Sequence, residues 1–282
     1  MTHIDYLAIG HISQDLTADG PTVGGTVSFS GRLAQAMGCC TAVLTSSGAD
    51  FAWQPYLAGI HLHTIPAAQT TTFENVYTAN GRMQTLHAQA APLLPGHVPA
   101  DWQRPDIVHL APIANEIDPA MIHLFSNSLV GLTPQGWMRR WGADGRVYAT
   151  DWPDAREFLP LAAAVILSHE DLRDEAQLAQ YRAWSHLLVV TKGYDGCTIY
   201  FEDEIRHIPA RRALEVNATG AGDIFATAFL IRLHQTGGNP WEAGRFANDI
   251  AACSVELDGL EAKLAGIQAL SKTLRVSENR QG

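Results

Sequence analysis

The chain has 282 residues, 46% of them hydrophobic, with a formal net charge of −10. This length and apolar content support one large α/β domain or two small ones and exclude a disordered chain. The negative balance argues against a general nucleic-acid or membrane-surface binder, so neither partner is expected; a phosphate ligand needs only a local positive field.

Taken in order, Tyr6–Gly10 is a short apolar run ending in glycine and predicts a buried strand. The start lacks the basic segment of a secretory leader, and no apolar run is long enough to span a bilayer. Asp15 follows the first strand, where open α/β sheets bind ligands, and is a candidate for holding a polyol or an ordinary loop aspartate. Gly24-Gly25 offers close backbone approach to a ligand or a plain turn, and Phe29, Leu33 and Met37 then mark one face of a helix stopped by Gly38. Thr41–Thr45 and Ile60–Ile65 read as strands with room for a helix between them. Residues 71–90 read as a hairpin turning at Asn80-Gly81, which pairs Ala79 with Arg82 and Glu74 with His87. It interrupts the β/α alternation, as a lid or as a simple edge hairpin.

Asp106–Leu110 is the next strand, and Asp118-Pro119 opens a helix with Asp118 as cap and Ile117 stapled to Ile122. Leu129–Leu132 is a strand, after which Gln135 and Arg139 are in reach of the sheet's carboxyl edge. Ala163–Leu167 and Leu187–Thr191 are strands flanking a helix around 175–184, each ending in polar residues: Ser168–Asp171 and Thr191–Gly193. Gly193–Gly196 turns the chain into the strand Cys197–Phe201. Asn239-Pro240-Trp241-Glu242 starts the last long helix in a capping-box-like pattern, with Phe246, Ala247, Ile250, Ala251 and Leu257 as its apolar stripe. Cys39, Cys40, Cys197 and Cys253 lack metal-type spacing and predict reduced, buried thiols in a cytoplasmic protein. Strands alternating with helices predict a mostly parallel sheet covered on both faces.

The segment Asn217-Ala-Thr-Gly-Ala-Gly-Asp223 precedes the buried run Ile224–Ile231. Glycines before a helix N-terminus present backbone N–H groups that attract phosphate oxygens. Asp223 beside them is placed to take a proton from a hydroxyl attacking that phosphate. The alternative is a plain glycine loop with Asp223 complementing the helix dipole.

These residues resemble the ribokinase/PfkB family of carbohydrate and nucleoside kinases over nearly the whole chain. Asn217–Asp223 matches its D-T-x-G-A-G-D signature, Gly24-Gly25 its N-terminal double glycine, and Val189–Gly196 its T-x-G-x-x-G turn. Ala247–Ser254 resembles the helix beside its nucleotide pocket, and looser likenesses point to the myo-inositol kinase branch. The resemblance implies a three-layer α/β/α sandwich over residues 1–282, with a small β lid from segments near 12–26 and 70–91 that admits a homodimer. It implies an ATP- and magnesium-dependent kinase acting on a hydroxyl of a small sugar, polyol or nucleoside. In that reading Asp223 is the base, and Gly220, Ala221 and Gly222 form the anion hole. Asp15, Gly25, Ser28, Glu74 and Gln135 face the acceptor. Ser168, Thr191, Gly193, Gly196, Thr219 and Asn248 line the nucleotide, and Asp171 holds magnesium indirectly.

Departures from the pattern are Phe29, where the family has asparagine, Ser168–Asp171 in place of N-x-x-E, and Asn217 in place of aspartate. They motivate the alternative of a weak or inactive ligand-binding protein of the same fold. A dehydrogenase is a distant third, because no Gly-x-Gly-x-x-Gly follows the first strand. Many members of the family hold a monovalent cation beside the signature turn with that first aspartate. Asn217 lacks its charge, so weak or absent activation by potassium is expected.

Overall fold

A computed structural model describes residues 3–18, 20–78 and 81–278. The first half contains β1 (Tyr6–Ile9), β2 (Ser13–Thr17), β3 (Gly20–Gly24), α1 (Thr26–Ala36), β4 (Thr41–Ser47), β5 (His61–Pro66), β6 (Thr71–Thr78), β7 (Gly81–Ala88), β8 (Ile107–Leu110) and β9 (Leu129–Leu132). The second contains β10 (Arg139–Trp141), β11 (Val147–Ala149), α2 (Ala155–Phe158), β12 (Ala164–Ser168), α3 (Glu175–Trp184), β13 (Leu187–Thr191), β14 (Cys197–Phe201), β15 (Glu204–Ile208), α4 (Ala221–Gln235), α5 (Pro240–Val255) and α6 (Leu260–Glu278).

Nine strands form one sheet in the order β15-β14-β13-β12-β9-β8-β1-β4-β5, parallel except where β14 and β15 pair antiparallel at one edge. The strands alternate between two cores. Tyr6, Ala8, Ile166 and Val189 face the core covered by α1, α4, α5 and α6; Leu7, Ile9, Leu167 and Val190 face the one covered by α2, α3 and short 3₁₀ turns. Burial on both faces is why these strands read as continuous apolar runs. The carboxyl ends of the parallel strands emerge together at one edge.

A second, four-stranded sheet, β3-β2-β6-β7, is built from the 12–26 and 70–91 segments. Phe73 and Leu86 of this sheet pack with Ile113 and Ala114 and against Trp141 and Val147, which fastens its base to the main body. The Leu86 amide donates to the Gly145 carbonyl at 2.8 Å in the same seam.

Several local expectations are corrected. In the hairpin, Tyr77 pairs with Arg82 and Glu74 with Thr85; the expected pairing of Ala79 with Arg82 and the Asn80-Gly81 turn involve residues 79–80, which lie outside the described residues. The Glu74 carboxylate still meets His87 Nε2 at 2.9 Å, diagonally across the ladder. The segment after Asp118 forms 3₁₀ rather than α-helix, although Asp118 caps it through the Ala120 amide at 2.9 Å. Asn239 accepts from the Trp241 and Glu242 amides as a cap, but the Glu242 carboxylate pairs with Arg232 of α4 instead of closing the box. Leu257 lies beyond the end of α5. The cysteines are free, with Cys197 buried and Cys39, Cys40 and Cys253 only half-buried.

A buried polar chain ties β1, β8, α1 and α4 beneath the strand ends. Tyr6 Oη lies 2.8 Å from His109 Nδ1, and His109 Nε2 lies 3.0 Å from Thr133 Oγ1. Thr227 Oγ1 lies 2.8 Å from Ser30 Oγ and 2.8 Å from the carbonyl of Asp223. Burial pushes the His109 imidazolium down to about 3, so the ring is neutral and needs one donor and one acceptor. As pH falls below the unfolded histidine value, only the unfolded chain takes up this proton, so stability drops toward pH 3. Tyr6→Phe removes the partner of His109 Nδ1, leaving only Ser30 Oγ at 3.4 Å. The variant should lose about 1–3 kcal/mol of unfolding free energy in a urea titration at pH 7; an unchanged midpoint and slope would contradict the role given to this chain.

Candidate active site

Helix α4 begins after Gly220, whose φ of +76° is left-handed and whose missing Cβ leaves room for the Phe29 ring, which occupies the space where that carbon would be. Glycine is therefore required here by both conformation and space. Phe29, the departure from the family's asparagine, is the ring that packs on the turn. The Ala221 amide bends back to the Ala218 carbonyl at 3.1 Å. Among the described residues, the Gly222 and Asp223 amides carry no intramolecular partner, so these N–H groups are the ones open to an anion. Gly222 is exposed.

Asp223 sits half-buried in the first turn of α4. Burial raises its carboxyl to about 6, against a hydrogen bond from Thr26 and the field of Arg139, which both lower it; Asp15 and Asp171 add to the rise. The direction is that of a base kept close to neutral pH rather than fully acidic. Arg139 is anchored by the Ile113 carbonyl at 2.9 Å and lies over the Phe73 ring. Arg139, Asp15 and Asp171 thus lie close enough to Asp223 to act on its charge.

The other expected residues fall into two groups. Asp15, on β2, accepts from Ser13 Oγ at 2.9 Å, and its carboxylate fills the space over Gly24. Asp171 accepts from Gln135 Nε2 at 2.8 Å and from the Ser168 amide at 3.0 Å, which fixes all three beside one another. Ser168 is also the neighbour of Thr191 in the β12–β13 register. Gly193 and Thr219 are exposed near this edge. The second group is tied into the scaffold. Ser28 is buried and donates to the Gly24 and Gly25 carbonyls. Gly25, at φ +86°, packs on the His11 carbonyl. Gly196 is buried in its turn. Asn248 is buried and donates to the Ile208 carbonyl at 2.9 Å. Glu74 is engaged by His87 out on the four-stranded sheet.

Residues not expected from the sequence complete the arrangement. Thr26 follows the double glycine, and its hydroxyl is the largest influence lowering the Asp223 carboxyl. Buried Glu116 accepts from the amides of His11, Ile113 and Ala114, clamping the loops after β1 and β8. Lys263 of α6 is buried, and its Nζ donates to the carbonyls of Asn217 at 2.8 Å and Thr219 at 2.7 Å. Asn217 itself accepts from the Thr219 amide at 2.8 Å and donates to Asp258 at 2.7 Å. Among the described residues, no helix is long and apolar enough to cross a membrane.

Comparison with known proteins adds independent findings. Residues 137–265 match the model of the pfkB family of carbohydrate kinases. An inositol 3-kinase of Arabidopsis thaliana is 25% identical over 224 residues, 75% of this chain and 62% of that protein. A fructokinase of Escherichia coli is 27% identical over 153 residues, 48% of each chain. The chain spans a little over three fifths of the inositol 3-kinases of Arabidopsis thaliana and Oryza sativa, 62% and 63%. Among solved structures, a pyrophosphate-dependent kinase of the ribokinase family, bound to a pyrophosphate analogue and myo-inositol, superposes with a TM-score of 0.78 at 17% identity, covering 94% of this chain and 99% of that one. The ribokinase of Thermotoga maritima superposes with a TM-score of 0.70 at 19% identity, covering 95% and 99%.

The Thr26 hydroxyl stabilises the charged form of Asp223, so Thr26→Val should move the Asp223 titration to higher pH. The carboxyl carbon shift of labelled protein reads this directly; an unchanged or lower titration point would remove Thr26 from the site.

Proposed function

We propose that the chain, whose residues 137–265 match the pfkB family of carbohydrate kinases and which resembles an inositol 3-kinase, is a kinase of that family that transfers the γ-phosphoryl group of ATP to a hydroxyl of a small sugar or polyol. The observation that carries this reading is the position of Asp223 in the first turn of α4, beside the open helix amides and within the field of Arg139. Asp223 takes the proton of the acceptor hydroxyl as the oxygen attacks phosphorus. The bond to the ADP oxygen breaks, and ADP leaves as the anion. The Gly222 and Asp223 amides, with Arg139, carry the charge on the transferring group. Asp15 orients the acceptor. The relatives' names make a cyclitol such as myo-inositol the first acceptor to try.

Magnesium, when bound, would neutralise the donor's phosphate oxygens. The donor set suits a hard cation: Asp171 offers carboxylate oxygens already oriented by Gln135 and the Ser168 amide, with lone pairs left for the ion's water shell. Asp15 is a second carboxylate in the same field.

Asp223→Asn should reduce kcat by at least ~10²-fold with both substrates saturating, while donor binding persists. Because the base works deprotonated, wild-type kcat/KM should fall as pH drops below about 6. Turnover is followed as acceptor phosphorylation with ATP, and with pyrophosphate in a parallel arm. Unchanged kcat in Asp223→Asn would sink the base assignment, and turnover with pyrophosphate alone would overturn ATP as donor.

We further propose that the four-stranded sheet closes over the acceptor. Replacing residues 75–84 by a short Gly-Ser turn keeps the anchoring Phe73 and Leu86. That variant should raise the acceptor KM and increase ATP hydrolysis without acceptor, because the site stays wet. Wild-type values for both in a folded variant would show that the sheet is not a lid.

A further inference from the structure

Phosphoryl transfer by Asp223 leaves a buried cation unexplained. Lys263 is 2% exposed. It lies in the first turn of α6, where the helix dipole disfavours a positive charge. Fixing its long side chain also sacrifices rotamer freedom. Burial lowers its pKa, opposed by Asp258. Its bonds at 2.8 and 2.7 Å go to main-chain carbonyls, those of Asn217 and Thr219, within the turn that leads into α4.

We infer that Lys263 is a tethered monovalent cation: its ammonium holds the 217–219 carbonyls as a free ion would, and keeps the turn ready for an anion without potassium. The peptide plane supplies the mechanism. In a trans peptide the N–H points opposite to the C=O. Drawing the Thr219 carbonyl onto Nζ therefore turns the Gly220 N–H away from Lys263. The ammonium also places a positive charge behind the transferring phosphoryl group. A second cation at this turn would face the ammonium's charge and compete for oxygens that already accept hydrogen bonds. The Asn217 and Thr219 carbonyls are taken by Nζ, the Asn217 side-chain oxygen by the Thr219 amide, and Asp258 by the Asn217 side-chain amide. Lys263 acts through the turn and is a positioning residue.

The catalytic side of this inference rests on the proposed kinase reaction, so the test has an arm that needs no activity. Wild type, Lys263→Ala and Lys263→Met are compared in potassium, ammonium, sodium and tetramethylammonium chloride at equal ionic strength. Thermal unfolding is followed in every salt. In wild type, Tm should not depend on which small cation is present. In the variants, potassium or ammonium should raise Tm saturably, and tetramethylammonium, too bulky for the vacated space, should not. Kinetically, wild type should show no potassium activation. The variants should lose about tenfold or more in kcat, partly restored by potassium or ammonium. Saturable potassium activation of wild type at low millimolar levels would overturn the inference. So would folded variants with wild-type kcat, or variants whose Tm and kcat respond to no small cation. If wild type proves inactive with every donor and acceptor, the kinase reading fails and the Tm comparison still decides the role of Lys263. If the alanine variant does not fold, Lys263→Met carries the same comparison, since it keeps the length and packing of the side chain.

Discussion

The first turn of α4 is the constraint on which the rest of the site depends. Its carbonyls and its amides have to face opposite ways, and each side is held by a separate part of the chain. Lys263 takes the carbonyls of residues 217 and 219 on the α6 side. The Gly222 and Asp223 amides stay open on the side of the strand ends. Gly220 permits the reversal, because its left-handed φ and absent side chain let the chain turn directly over the Phe29 ring. The Thr227 hydroxyl then links the first turn of α4 to Ser30 of α1, so the turn and the double-glycine helix move as one body.

That linkage explains the polar residues under the site. A sheet sandwiched between two apolar layers gives no reason for Tyr6, His109, Ser30 and Thr227 to be buried together. Their value is directional. Hydrophobic packing of α4 on the sheet tolerates sliding, whereas a chain of hydrogen bonds running from β1 and β8 to α1 and α4 has one register. Glu116 does the same for the loops above, collecting amides from both the β1 and β8 strand ends onto one carboxylate.

Much of the scaffold was legible because it obeys local rules. The helix 175–184, the Asn239 cap, the Asp118 cap and the apolar strands follow from periodicity and from side chains that satisfy nearby amides. The glycine-rich turn and Asp223 were legible as a motif. What stayed hidden depends on distance in sequence. Thr26 acts on Asp223 across about two hundred residues, and Lys263 meets Asn217 across 46, and nothing in the local pattern of either marks it. Lys263 reads as one more solvated position on a helix, since its buried partners are backbone atoms with no residue identity. The hairpin register failed for a related reason. The Asn-Gly signal suggests a turn locally, but the register that forms, with Glu74 opposite Thr85, runs unbroken back to Phe73 and Leu86, which anchor the base of the sheet through contacts distant in sequence.

The departures from the family pattern take on a physical meaning once these contacts are known. Phe29 fills the space beside Gly220 and stiffens the turn, in place of a polar side chain offered to a ligand. Asp171 does not stand alone as a remnant of a longer acidic motif, since Gln135 and the Ser168 amide hold both of its oxygens. Asn217 gives up the anionic charge of the signature, and with a buried ammonium already on the turn that loss is consistent. An aspartate there would face Asp258 at the position where the amide now donates to it. Two carboxylates at that distance repel, whereas an amide satisfies Asp258 with its nitrogen and the Thr219 amide with its oxygen. The Asn217 side chain, Asp258 and Lys263 therefore form one arrangement, in which changing the first residue of the signature and supplying a cation from α6 solve the same electrostatic problem.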